Sequence, residues 1–278
     1  LHTEYSIVDG LVRISELSNQ VIERGMSCVA ITDQCNLFAM VKFYKAACKA
    51  GIKPIFGADV WVEDDSDNEQ LFRLVLLCQN QKGYQQLTRL ISRSYLEGQK
   101  LGKPIIKKSW LFEANEGLIV LSGGRLGDVG VALLSQDINK AQTLAREYQQ
   151  HFGDRFYIEL MRTGRVDEDS YLHFAVELAA STDIPVVASN DVCFTLADDF
   201  EAHEARVCIN GGWTLDNHKR PKLYHEQQYL RSASEMVELF SDIPEAIENT
   251  VEIAKRCNLE LSLGKNYLPE FPVPAGMT

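Results

Sequence analysis

Polar side chains follow directly on several short apolar segments that have the character of β-strands. In a parallel α/β fold the carboxyl ends of the strands form one mouth, where catalytic and metal-binding side chains gather. Carboxylate, imidazole and thiolate groups at such a mouth are typical of a metal-dependent hydrolase. The set comprises His2, Asp33 with Gln34, Asp59, Gly123 with Gly124, Glu159, and Asn190 with Asp191 and Cys193.

The same residues also have plainer interpretations. The chain has six histidines, and only His2 ends a predicted strand, whereas a catalytic zinc takes about three protein ligands. Asp33 is equally typical of a turn or a helix N-cap. Gly123-Gly124 predicts a tight turn, because neither a GxxxxGK[ST] nor a GxGxxG motif is present. The three tryptophans are isolated in the sequence: Trp61, Trp110 and Trp213. Because stacking with bases would need companion rings and basic charge, we expect no platform that stacks bases.

The elements that must position these residues alternate between strand and helix. Strands are predicted at 27–32, 54–56, 60–62, 71–77, 118–121, 156–161 and 185–188, and helices at 38–50, 83–97, 137–152 and 169–180. This alternation indicates an α/β fold with a mostly parallel sheet, and the number of units favours a TIM-like barrel over an open sheet. Beyond residue 200 the pattern is mainly helical, with a capping box at Ser232 and Glu235.

Composition excludes several classes of function. Lys and Arg total 28 against 39 Asp and Glu, a net charge of −11, which disfavours DNA as the primary partner. The seven cysteines include no CxxC pair, so they are expected to be reduced, as in a cytoplasmic protein. No apolar run approaches the ~20 residues of a membrane helix, and we expect no membrane partner.

Five segments, in order along the chain, resemble motifs of the polymerase and histidinol phosphatase (PHP) family. Residues 1–10 resemble its opening His-x-His-Thr motif with the following Ser and Asp-Gly, and residues 30–38 resemble its Thr-Asp-His-Gly-Asn motif. Segments 51–59, 117–124 and 187–192 follow in the expected order, and 162–165, 169–173 and 243–250 resemble the form found in alpha subunits of bacterial replicative polymerases. The resemblance spans essentially the whole chain.

The resemblance implies a distorted TIM-like β/α barrel, the PHP fold, followed by a helical C-terminal extension. We expect the barrel over 1–200 with its first strand truncated, its helical completion over 201–264, and the proline-rich start of a linker to an absent polymerase palm over 265–278. The family barrel holds up to three metals at its strand ends.

Matched position by position, that metal site is degenerate here. The first His of the opening pair would precede Leu1, Asp59 stands in place of Glu, and Arg73 cannot bind a metal and would repel one. The resemblance therefore implies no catalytic residue, no required cofactor and at most one weakly bound divalent ion (Zn, or Mn/Mg), with Arg73 paired to a carboxylate. The remaining ligands are His2, Asp9, Asp59 and Asp191, with Cys193 as a further donor, and the degenerate positions are Gln34, Arg73, Gly124 and Cys193.

The same resemblance implies a role in DNA replication. A silent PHP domain would act as a scaffold within a DNA-directed DNA polymerase, contact the rest of the alpha subunit in cis, and dock the proofreading 3′→5′ exonuclease subunit. DNA would bind weakly if at all. The alternatives are an active metal-dependent phosphoesterase, working as an exonuclease or pyrophosphatase, and a free-standing sugar or phosphate-ester hydrolase.

Overall fold

A mixed sheet forms the centre of the molecule. The computed structural model describes residues 1–64, 67–266 and 268, and every structural statement below refers to those residues. Within them the strands are β1 (Cys28–Ile31), β2 (Lys53–Asp64), β3 (Asp67–Cys78), β4 (Gln99–Lys100), β5 (Lys103–Lys107), β6 (Leu118–Leu121), β7 (Phe156–Met161) and β8 (Val186–Ser189).

Six of these strands run in the same direction. β2 pairs in parallel with β1 through its first half and with β5 through its second half. β6, β7 and β8 are parallel to one another. β3 lies antiparallel between β2 and β6, so both of its neighbours share one direction. The predicted, mostly parallel sheet is therefore confirmed, and the interruption by β3 was not foreseen.

The first residues of the chain connect the two ends of this sheet. The carbonyl of Leu1 accepts a hydrogen bond from the Thr32 amide, just after β1, at 2.9 Å. The amide of His2 donates to the Val192 carbonyl, just after β8, at 2.8 Å. β8 ends the strand order and β1 pairs with β2 beside it, so these bonds link β1 to β8 and complete a ring. The arrangement is the predicted TIM-like barrel.

Helices surround the barrel, and their ends follow local sequence signals. α2 ends at Gly51, whose φ of 72° suits a residue without a Cβ. The side chain of Asn80 caps α3 by accepting from the Gly83 amide at 3.1 Å, and Ser232 with Glu235 forms the predicted capping box. The helices described are α1 (Ile14–Glu23), α2 (Met40–Ala50), α3 (Gln81–Leu96), α4 (Lys108–Glu113), α5 (Asp128–Leu134), α6 (Ile138–Phe152), α7 (Glu168–Thr182), α8 (Phe200–Gly211), α9 (Ala233–Leu239) and α10 (Pro244–Arg256).

The barrel interior is apolar at one end and polar at the other. Ile253 of α10 and Cys257 pack against the inward side chains of the strands and close the end where the parallel strands begin. Side chains alternate along a strand, so the residues two positions further toward the opposite mouth point inward as well. The apolar layer contains Ile55, Val75, Leu77, Ile119, Leu121, Tyr157 and Val187. The layer above it contains Arg73, Glu159 and Ser189, each two positions from an apolar residue of its strand, and Asp59, four positions beyond Ile55 on β2.

No helix in the described part of the chain is both long and apolar enough to cross a membrane. The boundaries predicted at residues 200 and 264 remain predictions. Most of the predicted linker, 267 and 269–278, lies outside the described residues.

Candidate functional site

The guanidinium of Arg73 lies at the centre of the barrel mouth between two carboxylates. It contacts Asp59, on the neighbouring strand β2, in a close ion pair. It also binds both oxygens of Asp191, which follows β8, with Nη1 to Oδ2 at 3.0 Å and Nη2 to Oδ1 at 2.5 Å. All three side chains are at most 10% exposed. A fork-shaped cation bound to two desolvated carboxylates is a strong charge-assisted arrangement.

His2 joins this cluster as a second cation. Its Nδ1 lies 3.1 Å from Asp9 Oδ1, and its Nε2 lies 3.0 Å from Asp59 Oδ2. Ionised carboxylates only accept hydrogen bonds, so both ring nitrogens must carry a proton. Burial acts to lower the pKa of His2, but the charge of Asp9 and the hydrogen bonds to Asp59 and Asp9 outweigh it and raise the pKa to about 10. The ring is therefore an imidazolium at neutral pH.

Asp191 is held by a second arginine. Arg165 Nη1 donates to its Oδ2 at 2.7 Å, and the Gln228 amide donates to the same oxygen at 3.1 Å. Although burial acts to raise the pKa of Asp191, the charges of Arg73 and Arg165 hold it well below its usual range. The carboxylate is thus ionised and fully engaged by protein donors.

Asp33 organises the opening segment of the chain. Its carboxylate accepts from the Thr3 amide at 2.6 Å, from the Thr3 hydroxyl at 2.8 and 2.9 Å, and from the Ser6 hydroxyl at 2.7 Å. These bonds fix Thr3, which directly follows His2, and so orient the imidazolium. Asp33 therefore lies at the same mouth as His2, as predicted, and the alternative of a simple helix cap is wrong.

Glu159 lies in the polar layer of the barrel without a complete set of partners. Its side chain is 3% exposed, and Oε2 has no hydrogen-bond partner among the described residues. Burial raises its pKa to about 7, although a hydrogen bond to Ser189 and the charge of Arg73 act in the opposite direction. This carboxyl group therefore changes charge near neutral pH.

A metal centre with paired ions does not fit this arrangement. In each of two sets of three side chains, the donor atoms lie within 4.8 Å of one another. One set is His2 with Asp9 and Cys193, and the other is His2 with Asp59 and Asp191. In the second set Arg73 already supplies the positive charge. Both sets share one imidazolium, whose protons would have to leave before it could bind a metal. Two ions about 3.5–4 Å apart need more free ligands than this cluster provides.

A family profile described as the PHP domain matches residues 1–163. The chain belongs to the PHP family. The PHP domain here is 55% identical to DNA polymerase III subunit alpha of Pseudomonas aeruginosa over 100% of the chain, and 53% identical to that of Escherichia coli K12 over 98% of it. It corresponds to the N-terminal region of these relatives and spans only 24% and 23% of their lengths.

Among solved structures, the PHP domain is similar to an amidohydrolase from Chromobacterium violaceum. The two are 14% identical with a TM-score of 0.47, over 74% of this chain and 94% of the other.

The degenerate positions of this PHP domain offer no replacement ligands. The Gln34 side-chain amide donates to the Asp59 carbonyl at 3.1 Å. Gly124 has a φ of 60°, and a Cβ added there would lie 3.3 Å from Met161 Cε. The Cys193 thiol lies 3.5 Å from the Asp191 carbonyl, and burial together with the charges of Asp191 and Asp9 raises its pKa well above the usual value. A thiol that stays protonated is a poor metal ligand.

A cleft beside the cluster was missed by sequence reasoning. Trp61, Tyr95, Trp213 and Tyr224 line one cavity of about 530 Å³, together with Asp9 and Gln34. The expectation that the tryptophans are isolated is thus wrong for Trp61 and Trp213. These residues come from β2, from α3 and from the segment after α8, and no short motif in the sequence indicates that they meet.

Proposed function

We propose that this chain acts as a catalytically silent PHP scaffold in the alpha subunit of a bacterial replicative DNA polymerase. The observation that carries the proposal is the contact of Arg73 with both Asp59 and Asp191. A permanent guanidinium charge satisfies the carboxylates that metal ions would otherwise bridge. The cluster then contributes to the stability of the barrel mouth, and Arg73 occupies the space between the two carboxylates that a metal ion would need. DNA polymerase activity of a longer polypeptide, and a cytoplasmic location, belong to the same proposal.

Loss of catalysis is tested by adding metals to the chain. Without Zn²⁺ or Mn²⁺, and with either ion in excess, we expect no significant hydrolysis of a generic phosphomonoester or phosphodiester. At most one ion would bind, weakly, because Asp59 and Asp191 are paired with Arg73 and the Cys193 thiol stays protonated. Robust hydrolysis that Asp191→Ala abolishes would instead support an active phosphoesterase.

We further propose that the scaffold docks the proofreading 3′→5′ exonuclease subunit. Two observations support this: the chain keeps a large barrel in which Arg73 occupies the space between the carboxylates, and its relatives are polymerase alpha subunits. Its net charge of −11 opposes binding to a phosphate backbone but does not oppose a protein interface. The remainder of the alpha subunit would contact the same domain in cis.

The docking proposal is tested by calorimetry with the exonuclease and with duplex DNA at two salt concentrations. We expect exonuclease binding that is only moderately salt-sensitive, since a buried interface core carries much of the affinity. Duplex DNA should bind weakly, and that affinity should vanish above about 0.2 M salt. Tight DNA binding without detectable exonuclease binding would reverse the assignment.

A further inference from the structure

The aromatic cleft beside the Arg73 cluster has the dimensions of a ligand site. Its volume is about 530 Å³, within the range of about 300–1,000 Å³ that small-molecule sites occupy. Trp61 is half-buried in its wall, whereas Trp213 and Tyr95 are 40% and 43% exposed. Large aromatic side chains around one concave space favour a planar ligand.

Two of the rings are held in place by specific contacts. A Cβ added to Gly211 would lie 2.7 Å from Trp213 Cδ1, so the indole packs directly on the glycine at the end of α8. The Tyr224 hydroxyl donates to Asp9 Oδ2 at 3.2 Å, and its ring meets that of His203 edge-on, with centroids 4.6 Å apart. These contacts preorganise the cleft wall, which reduces the entropy lost when a ligand binds.

Two basic side chains, Lys103 and Arg220, line the cleft against one acidic side chain, Asp9. The charge of Asp9 is met by His2, so the cleft favours an anionic ligand. Lys103 is exposed, with its Nζ 5.5 Å from the centroid of the Trp61 ring. Arg220 also lines the cleft, where it pairs with Glu204. Stacking surfaces next to basic groups are the combination that proteins use for single nucleotides and for the ends of single strands.

We propose that this cleft binds a nucleotide, with its base against Trp61 and Trp213 and its phosphate toward Lys103. The ligand is a free mononucleotide or the terminal nucleotide of a single strand, which share this chemistry. The net charge of −11 opposes binding along a DNA backbone, but one terminal phosphate meets only the local cations. The proposal does not depend on the scaffold role, because no catalytic step is involved.

The intrinsic fluorescence of the chain provides the first test. Trp110 lies outside the cleft and is 7% exposed, so Trp110→Phe leaves only the two cleft tryptophans as emitters. We expect saturable quenching of this variant by deoxyadenosine monophosphate or by a four-nucleotide deoxyadenosine strand. Tighter binding of the monophosphate would identify the ligand as a free mononucleotide, and tighter binding of the strand would identify it as a strand end. Deoxyribose 5-phosphate, which has no base, should bind at least about tenfold more weakly.

Calorimetry on cleft variants provides the second test. Trp61→Leu and Trp213→Leu should each weaken nucleotide binding about tenfold, and Lys103→Gln should weaken it less and reduce its salt dependence. Phe38→Leu is the matched control, since Phe38 is 69% exposed and does not line the cleft. Lys103→Gln alters an exposed side chain and so remains informative if a tryptophan variant unfolds.

Three outcomes would overturn the proposal. The first is the absence of saturable binding by either nucleotide ligand. The second is an unchanged affinity in folded Trp61→Leu and Trp213→Leu variants. The third is that an aromatic peptide quenches the cleft tryptophans while the nucleotides do not, which would make the cleft a peptide groove.

Discussion

Arg73 and Asp191, 118 positions apart in the chain, form a two-point ion pair at the barrel mouth, with donor–acceptor distances of 3.0 and 2.5 Å. Arg73 is on the antiparallel strand β3, and Asp191 follows β8 with a left-handed φ of 45°. The pair places a side-chain cation where the family's ligands converge. The positive charge belongs to a side chain of the protein, so it is present whether or not a metal ion is bound.

Removing this cation should strongly destabilise the domain. Arg73→Leu would leave Asp59 and Asp191 buried next to each other with only His2 and Arg165 as cations. Breaking a buried pair by deleting one partner costs about 3–5 kcal/mol, and we expect a loss of that order in the free energy of unfolding. Urea denaturation followed by circular dichroism measures it.

An exposed arginine gives the matched control for that experiment. Arg13 is 68% exposed and lies 3.9 Å from Glu16, so Arg13→Leu should change stability by less than about 0.5 kcal/mol. Equal losses in the Arg13 and Arg73 variants would contradict a special role for the buried pair.

The charge of His2 should make stability fall at alkaline pH. Its pKa is raised to about 10 in the folded chain, against about 6.5 when unfolded. The native state therefore binds more protons between these values, and the stability that His2 contributes is complete below pH 6.5 and lost as the pH rises through 10. His2→Gln should be most destabilising near pH 6 and progressively less so toward pH 10.

His173 is the matched control, because it is 68% exposed and its acidic partner, Glu177 at 3.5 Å, is exposed as well. His173→Gln should have little effect at any pH. A stability difference between wild type and His2→Gln that stays constant from pH 6.5 to 10 would show that His2 is not charged in the folded state.

Glu159 should produce a second pH effect in a separate window. Its pKa is raised to about 7, above the value of about 4.3 for an unfolded glutamate. The folded state therefore holds a proton that the unfolded state releases, and stability falls as the pH rises from about 4.3 to 7. Glu159→Gln should remove this loss, so the stability of the variant relative to the wild type should be higher at pH 8 than at pH 5. The exposed Glu177→Gln should show no such change with pH.

Restoring imidazoles should restore metal affinity. Arg73→His combined with Gln34→His adds two ligands and removes the guanidinium that repels a cation, so Zn²⁺ or Mn²⁺ should bind more tightly than to the wild type. The matched control is Arg73→Leu with Gln34→Leu, which removes the same charge without adding a ligand. Calorimetry that shows no gain in the histidine variant over this control would mean that the mouth no longer has the geometry of a metal site.

The predicted elements agree with the structure where the signal is local. The helices over 38–50, 83–97 and 137–152 correspond to α2, α3 and α6, because helical periodicity and caps act within a few turns. The strand at 71–77 was predicted, but its antiparallel direction was not, since the alternation of side chains is the same in both directions. The helices α1, α4 and α5, of ten, six and seven residues, were not predicted.

The candidate site divides in the same way. The family, the barrel and the loss of ligands at Gln34, Arg73 and Gly124 follow from residue identities, because a guanidinium or a glycine offers no metal-binding atom and a glutamine amide is a weaker ligand than the imidazole it replaces in any fold. The ion pairs of Arg73, the double proton on His2 and the position of Trp61 and Trp213 on one cavity depend on distances between segments remote in sequence. Charge interactions and desolvation vary steeply over a few ångströms, so only the closed barrel, which brings β2, β3 and the segment after β8 to one mouth, decides them.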